Sequence, residues 1–383
     1  MNPFNHVPPL WTMSRFFYAL LWAVEALTLA ALYRLQLLPL PWLLLMTGGM
    51  GLADLLLYAL LFGYSQPSVR WWGCGLCLLA VTACLTGAYA GYLLEDTIRA
   101  VVDPTIGTTD AHPHNPTEEP FAVYLSGSDT RSTALTKSRS DVNILAVVDP
   151  AEKQILLVNT PRDYYLPNPA GNGAKDKLTH CGLYGVGNSA QALSVLYGIP
   201  IAYTAQINFK GFELLVDSMG GIPVTSEHAF TTSVGGYPIA AGENLLTGAQ
   251  ALAFARERSR LPDGDNGRGR NQMQVITGMI RRLTTGNLLT NYKTVMSNLE
   301  GMFTTSMPAA TMSRLIRMQL TDLARWEVYT YAVTGSNGQA TTWSTGRTKV
   351  YVMYPDEATV TRASSLMKQV LRGERLSPLD FAE

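Results

Sequence analysis

Residues 256–272 read RERSRLPDGDNGRGRNQ. Arg256, Arg258, Arg260, Arg268 and Arg270, with Asp263 and Asp265, surround a Pro-Asp-Gly-Asp-Asn-Gly turn, in a chain that is only 15% charged. A guanidinium is a planar fork that matches phosphate oxygens two at a time. Aspartates among such forks suit a hard cation such as Mg²⁺, which takes a carboxylate or two together with substrate phosphates. The stretch is a candidate phosphate or pyrophosphate site; by itself it also reads as a solvated charged loop. Three more clusters weigh against the loop reading: Asp129-Thr130-Arg131, Arg139-Ser140-Asp141 and Pro161-Arg162-Asp163. One such pair is ordinarily a loop salt bridge. Three of them plus the arginine stretch offer forks for two phosphates and carboxylates for a cation.

The elements that must position these clusters are short apolar runs. Residues 121–125, 142–148 (VNILAVV) and 154–159 (QILLVN) read as buried strands. The first cluster follows one strand, the second precedes the next and the third follows the last, and strand ends are where ligands bind in α/β sheets. Helical spacing is expected over 189–196, 209–219 (ending at Gly220-Gly221), 247–256, 271–282 and 292–324, with late strands at 327–332 and 349–353. Alternating strands and helices imply an α/β fold. Gly185-Val-Gly187 fits a dinucleotide pattern, but no strand precedes it.

Residues 1–94 carry only Arg15, Glu25, Arg34, Asp54 and Arg70 as charged side chains. Apolar runs at 16–32, 42–64 and 71–94 approach or exceed the length of about 20 residues that crosses a bilayer, and Trp and Tyr lie near their ends. Three transmembrane helices are expected. Glu25 and Asp54 read as packing groups between them. Arg15 and Arg70 on one side against Arg34 on the other place the C-terminal part outside the cytoplasm. Residues 95–119, rich in Pro, Thr and His, read as a linker, with His112 and His114 in solvent rather than on a metal. Cys74, Cys77 and Cys84 fall in the third run, so Cys181 has no partner for a disulfide and the fold rests on its core. Lys+Arg and Asp+Glu both number 29. That balance argues against a nucleic-acid binder, which shows a basic excess.

Six ordered segments now carry a resemblance: GSDTRS (127–132), RSDVNILAVVDP (139–150), TPRDYYLP (160–167), KLTHCGLYG (177–185), NFKGFELLVDSMGGIPV (208–224) and the arginine stretch. Through them the chain resembles the LytR-CpsA-Psr family of membrane-anchored cell-wall glycopolymer ligases. The resemblance implies an α/β/α layered domain with a central mixed sheet and an apolar pocket for a polyprenyl chain. The domain would cover 120–383, with its motif core at 120–283, after the membrane anchor at 1–94. It also implies the reaction: with Mg²⁺, a glycan phosphate passes from a polyprenyl-pyrophosphate donor to a peptidoglycan sugar hydroxyl, leaving polyprenyl phosphate.

Carried over residue by residue, Asp129 and Asp141 are the metal ligands. Arg131, Arg139, Arg162, Arg256, Arg258 and Arg268 line the pyrophosphate, with Gln272 beside them, and Lys177 falls at the family's lysine. Arg162, Asp163 and Arg268 are the catalytic candidates; Asp163 orients Arg162 or activates the acceptor. Many members carry D-x-x-R-x-x-R-Q here. Asp265, Arg268 and Gln272 keep that frame, but Asn271 stands at the second arginine, with Arg270 one residue earlier as its candidate substitute. Hydrolysis of the pyrophosphate by water needs the same residues. A non-catalytic membrane regulator is the other alternative, and its mark would be a cytoplasmic C-terminus.

Overall fold

The protein is described by a computed structural model over residues 9–35, 38–103, 106, 112–129, 135, 137–284 and 301–381. It forms two compact units, Met1–Asp96 with Ile316–Thr321, and Thr97–Leu315 with Asp322–Glu383. In the first lie α1 (Pro9–Leu35), α2 (Leu40–Phe62) and most of α3 (Pro67–Ala100). All three are long and apolar enough to cross a membrane. Proline starts α2 and α3, where a missing N–H costs no helical bond. Leu21, Val24, Leu57, Leu61, Cys74, Cys77 and Val81 pack between them, while Trp22, Leu27, Leu45, Leu55 and Trp72 point outward. An apolar exterior around an apolar seam suits lipid rather than water. Glu25 and Asp54 are buried inside this bundle. All four cysteines are free thiols.

The second unit runs β1 (Phe121–Ser128), β2 (Ser140–Asp149), β3 (Gln154–Asn159), β4 (Tyr165–Pro167), β5 (Lys175–Lys177), α4 (Leu178–Cys181), α5 (Val186–Tyr197), β6 (Tyr203–Asn208), α6 (Phe209–Ser218), β7 (Ile222–Ser226), β8 (Phe230–Thr231), β9 (Pro238–Ile239), β10 (Gly242–Leu246), α7 (Gly248–Arg256) and α8 (Asp265–Thr284). Then come β11 (Phe303–Thr305), α9 (Ala309–Asp322), β12 (Glu327–Ala332), β13 (Gly335–Thr341), β14 (Lys349–Pro355) and α10 (Glu357–Leu371). The central sheet has the order β11-β6-β1-β2-β3-β12. β1 runs parallel to β6 and β3 to β12, and the other pairs are antiparallel, so the sheet is mixed.

Alternation along the strands sends Tyr124, Leu145, Val147, Leu156 and Val158 to one face, against Leu193 of α5 and Leu366 and Met367 of α10. Ile144, Ala146, Ile155 and Leu157 go to the other, against Met273, Ile276 and Ile280 of α8. This is the expected α/β/α layering, and it explains why β2 and β3 are apolar at consecutive positions: both faces are covered. α8 lies close to its neighbours because small residues face them. A Cβ on Gly278 would stand 2.3 Å from the Pro223 carbonyl oxygen, and one on Gly269 would stand 2.7 Å from Asn159 Oδ1.

Three expectations change. Residues 265–270 are the first turns of α8, not a loop. Among the described residues, the helix expected over 292–324 is Ala309–Asp322. Before it β11 pairs antiparallel with β6, Phe303 opposite Ile207, and Pro308 marks the change from strand to helix; residues 285–300 lie outside the described part. Of the stretch expected as a linker, the described residues from 97 to 119 belong to the second unit. α3 continues to Ala100, Asp103 N–H donates to the Thr305 carbonyl (2.9 Å), and the exposed His112 ring stacks on Tyr203 at 5.0 Å.

Candidate active site

The ends of β1, β2 and β3 meet at one end of the sheet, and buried hydroxyls fix them there. Tyr124 donates to Asn143 Oδ1 (2.6 Å), and Ser140 Oγ lies within 3.0 Å of the Tyr124 hydroxyl and 2.8 Å of Ser126 Oγ. The register slips at this point. Gly127 faces Val142 while Ser128 faces Ser140, so Asp141 is the extra residue of a β-bulge. A bulge re-aims the side chain it carries. From β3 the chain turns through Pro161-Arg162-Asp163, and backbone bonds hold the turn. Thr179 N–H donates to the Arg162 carbonyl and Met353 N–H to the Asp163 carbonyl, both at 2.8 Å.

On this frame stands a chain of ion pairs. Arg162 Nη1 donates to Asp141 Oδ1 at 2.8 Å, and Lys177 Nζ donates to Asp163 Oδ1 at 2.8 Å. Arg162 Nε is 3.5 Å from Asp163 Oδ2, yet it is buried and makes no hydrogen bond among the described residues. A donor in that position has capacity for one more oxygen. α8 supplies the facing cation: Arg268 Nη2 pairs with Asp265 Oδ1 at 2.8 Å. The groups feel one another. Burial pulls the Arg162 guanidinium down, but Asp141, Asp163 and Asp265 more than offset this and leave it above its ordinary value. Burial, and then the Arg162 charge, hold Arg268 below its ordinary value, against the pull of Asp265, Asp141 and Asp163. Two guanidiniums share one set of carboxylates, and both stay charged at any physiological pH.

The other expected residues divide. Asp129 and Arg139 are exposed and flank the β1–β2 ends, one just past Ser128 and one just before Ser140. Arg131 lies outside the described residues. Arg256 and Arg258 are exposed where α7 ends, and the Arg256 guanidinium covers the Phe209 ring at 4.6 Å. Gln272 is buried: it accepts from Asn159 Nδ2 (3.1 Å) and donates to the Ala255 carbonyl (3.4 Å), tying β3, α7 and α8 together. Asn271, at the family's second arginine, is buried and caps the Phe254 carbonyl. Arg270 does not point into the cluster; it pairs with Asp263 and with Glu227, the latter at 3.2 Å. Among the described residues no group of three or more His, Cys, Asp or Glu could hold a metal by itself. Asp129 and Asp141 offer oxygen donors only. That set fits a hard cation which takes the rest of its shell from phosphate and water.

Three contributors escape a reading of charge clusters. Glu257, between two arginines in sequence, turns inward and accepts from the backbone N–H groups of Ser233, Arg258 (2.9 Å) and Arg260 (3.1 Å). Burial opposes its charge, but these bonds prevail and bring its carboxyl down to about 2, which fixes the turn presenting Arg256 and Arg258. Asp176, fully buried, accepts from Ser344 and faces His180 Nδ1 at 2.7 Å, locking β5 and therefore Lys177 to the β13–β14 hairpin. Tyr351, on β14, has Lys177 Nζ 5.6 Å from its ring centre. Burial, then Asp163 and Asp265, push its hydroxyl up while Arg258 draws it down, so it faces both walls of the cluster. Only the Lys177 motif signals any of this in sequence.

A profile of the LytR_cpsA_psr family matches residues 98–364. The chain belongs to the LytR-CpsA-Psr family. Among family members, it is 36% identical over 184 residues to the polyisoprenyl-teichoic acid–peptidoglycan teichoic acid transferase TagU of Enterococcus faecalis, covering 47% of this chain and 59% of that one. The chain thus spans about three fifths of the length of that curated relative. The crystal structure of Bacillus subtilis TagV superposes with a TM-score of 0.55 at 23% identity, over 68% of this chain and 99% of that one. TagT bound to LIIa-WTA superposes with a TM-score of 0.55 at 24% identity, over 69% and 94%. At these identities the two structures establish the LytR-CpsA-Psr fold, with its mixed sheet between helical layers.

Proposed function

We propose that the protein is a phosphotransferase that moves a glycopolymer phosphate from a polyprenyl-pyrophosphate carrier to a sugar hydroxyl of peptidoglycan. The observation that carries this reading is the run Asp141–Arg162–Asp163–Lys177 at the strand ends, with Arg268 facing it. Family membership and the transferase relatives support it. Arg162, Arg268, Arg256, Arg258 and Arg139 receive the pyrophosphate oxygens, and the unused Arg162 Nε is one such donor. Asp141 and Asp129 would hold Mg²⁺, which supplies Lewis-acid neutralisation of the phosphates. The acceptor hydroxyl forms a bond to the glycan-bearing phosphorus, and the bond from that phosphorus to the bridging oxygen breaks. Polyprenyl phosphate leaves with the charge stabilised by the arginines. The hydroxyl proton passes to Asp163, which Lys177 and Arg162 hold in place. With water in the acceptor's position the same residues hydrolyse the donor.

α1, α2 and α3 cross the cell membrane in this reading, with the second unit extracytoplasmic. The anchor raises the effective concentration of a donor confined to the same bilayer.

Transfer from a defined lipid donor is expected to need added Mg²⁺. Asp141→Asn should raise the Mg²⁺ concentration for half-maximal rate at least about tenfold. Titration of MgCl₂ into the donor complex by calorimetry reads the same shift without turnover. An unchanged half-saturation in the variant rejects the metal assignment.

A further inference from the structure

The membrane bundle carries a cleft that the transfer chemistry does not use. Trp11, Arg15, Tyr18, Ala19 and Trp22 of α1 and Tyr58 and Phe62 of α2 line a groove of about 540 Å³. Positions 11, 15, 18 and 22 follow helical spacing, so their side chains share one face of α1, and 58 and 62 stand one turn apart on α2. The rings close on one another across the two helices. Trp11 is edge-on to Phe62 at 6.0 Å, Tyr18 is 5.9 Å from both Phe62 and Tyr58, and Tyr58 is 5.0 Å from Phe62. The groove opens outward, with Trp22 59% and Tyr58 54% exposed. Arg15 is the one charge in its lining. It lies five residues inside the span that begins at Leu10, about 7.5 Å along the helix axis. Its guanidinium covers the Trp11 ring at 4.2 Å. Stacking occupies the flat face and leaves the N–H edge to meet an oxygen. Among the described residues no carboxylate pairs with it: Glu25 and Asp54 are buried in the interior of the bundle, whereas Arg15 is exposed.

We propose that this groove binds one anionic glycerophospholipid, its phosphate on the Arg15 guanidinium and the start of an acyl chain along the rings. An unpaired cation inside a hydrocarbon layer is costly, and a phosphate satisfies the fork with two oxygens at once. The walls offer apolar ring faces to the chain, and the Trp11 ring holds the guanidinium in place before the lipid arrives. A zwitterionic lipid brings its own cation beside the phosphate and suits this unneutralised arginine less well. The leaflet decides between a phospholipid and the lipid carrier of the transfer reading. Three spans and an extracytoplasmic second unit, as proposed above, put the start of α1 and the end of α2 on the cytoplasmic side, where anionic lipids attract Lys and Arg. The donor's pyrophosphate, bound by the second unit in that reading, lies on the other side. The choice of occupant rests on that topology; the cation and the groove do not.

The test uses the full-length protein in an uncharged detergent, read by native mass spectrometry and by thermal melts with added lipid. The probes are phosphatidylglycerol, phosphatidylcholine and a polyprenyl monophosphate. Wild type is expected to retain one phosphatidylglycerol and to bind it at least about tenfold tighter than phosphatidylcholine, with the melt raised accordingly. Arg15→Gln should lose that preference. Arg15→Lys, which restores the charge, should regain it, and this separates lost binding from a folding defect. Arg70→Gln is the control. Arg70 lies near the start of α3, on the same side of the bundle, but its Nε already donates to the Tyr64 carbonyl (3.1 Å). Its loss should leave phosphatidylglycerol binding unchanged. Phosphatidylglycerol bound as tightly by Arg15→Gln as by wild type would overturn the proposal. So would an equal loss in Arg70→Gln, or a polyprenyl phosphate that takes the Arg15 site in preference to phosphatidylglycerol. A reporter at Glu383 found in the cytoplasm would sink the topology and the transfer reading, while the lipid measurements would still decide the groove.

Discussion

Arg162→Ala is expected to lower glycan transfer by about 10²–10³-fold, the effect of removing one preorganised donor from a developing oxyanion. Arg162 is the hinge of the cluster. Its guanidinium bonds to Asp141, stands beside Asp163, and holds Nε buried with no hydrogen-bond acceptor among the described residues. Removing it costs the site a fork and leaves Asp141 and Asp163 to repel an incoming pyrophosphate. The fold should tolerate the change, because the Pro161-Arg162-Asp163 turn is held by its backbone bonds to Thr179 and Met353. Arg162→Lys retains the charge but not the fork and should recover only part of the rate. Steady-state transfer and a thermal melt, measured on the same preparations, check both halves. A variant that transfers within twofold of wild type rejects the assignment.

Asp176→Ala is expected to cost about 3–5 kcal/mol of stability, the penalty for breaking a buried ion pair by removing one partner. It would strand His180, Ser344 and Asn168, which all turn toward this carboxylate. Burial raises the Asp176 carboxyl, but the bonds from His180, Ser344 and the Lys177 N–H more than reverse this and set it at about 2, against an ordinary 3.8. The folded-state value lies below the unfolded one. The stabilisation is therefore fully present above about pH 4 and is lost as pH falls through 3.8 toward 2. Denaturant melts between pH 2 and 7 should show wild type losing this increment over that window. Asp176→Ala, lacking the group, should show none of that portion of the acid slope. Transfer should fall with stability, since β5 carries Lys177 to Asp163.

The strands that build the site were legible because β2 and β3 are buried on both faces and so are apolar without interruption. Charges at the ends of such runs stand out, which is why Asp141, Arg162 and Asp163 were found together. The partners that organise them were not legible. β4 and β5 are three-residue strands with no periodicity to detect, so the Lys177–Asp163 contact and the buried Asp176 follow from tertiary packing alone. The start of α8 was hidden by Gly267 and Gly269, which read as turn residues. They sit in a helix because Leu261 and Asn159 leave no room for a Cβ. Arg270 was a candidate on spacing, but a helix turns it about 100° per residue, and it meets Asp263 and Glu227 instead of the cluster. Tyr351 comes from a hairpin more than 60 residues downstream of the arginine stretch, a distance over which spacing carries no information.

The most direct test of the central claim is a reconstituted reaction. The full-length protein in lipid is given a defined polyprenyl-pyrophosphate glycan, Mg²⁺ and peptidoglycan strands, and the products are resolved by mass. The account predicts a phosphodiester joining glycan to strand, with one polyprenyl phosphate released per bond and Arg162→Ala blank. Release of polyprenyl phosphate at the same rate with and without strands, and no joined product, would contradict it.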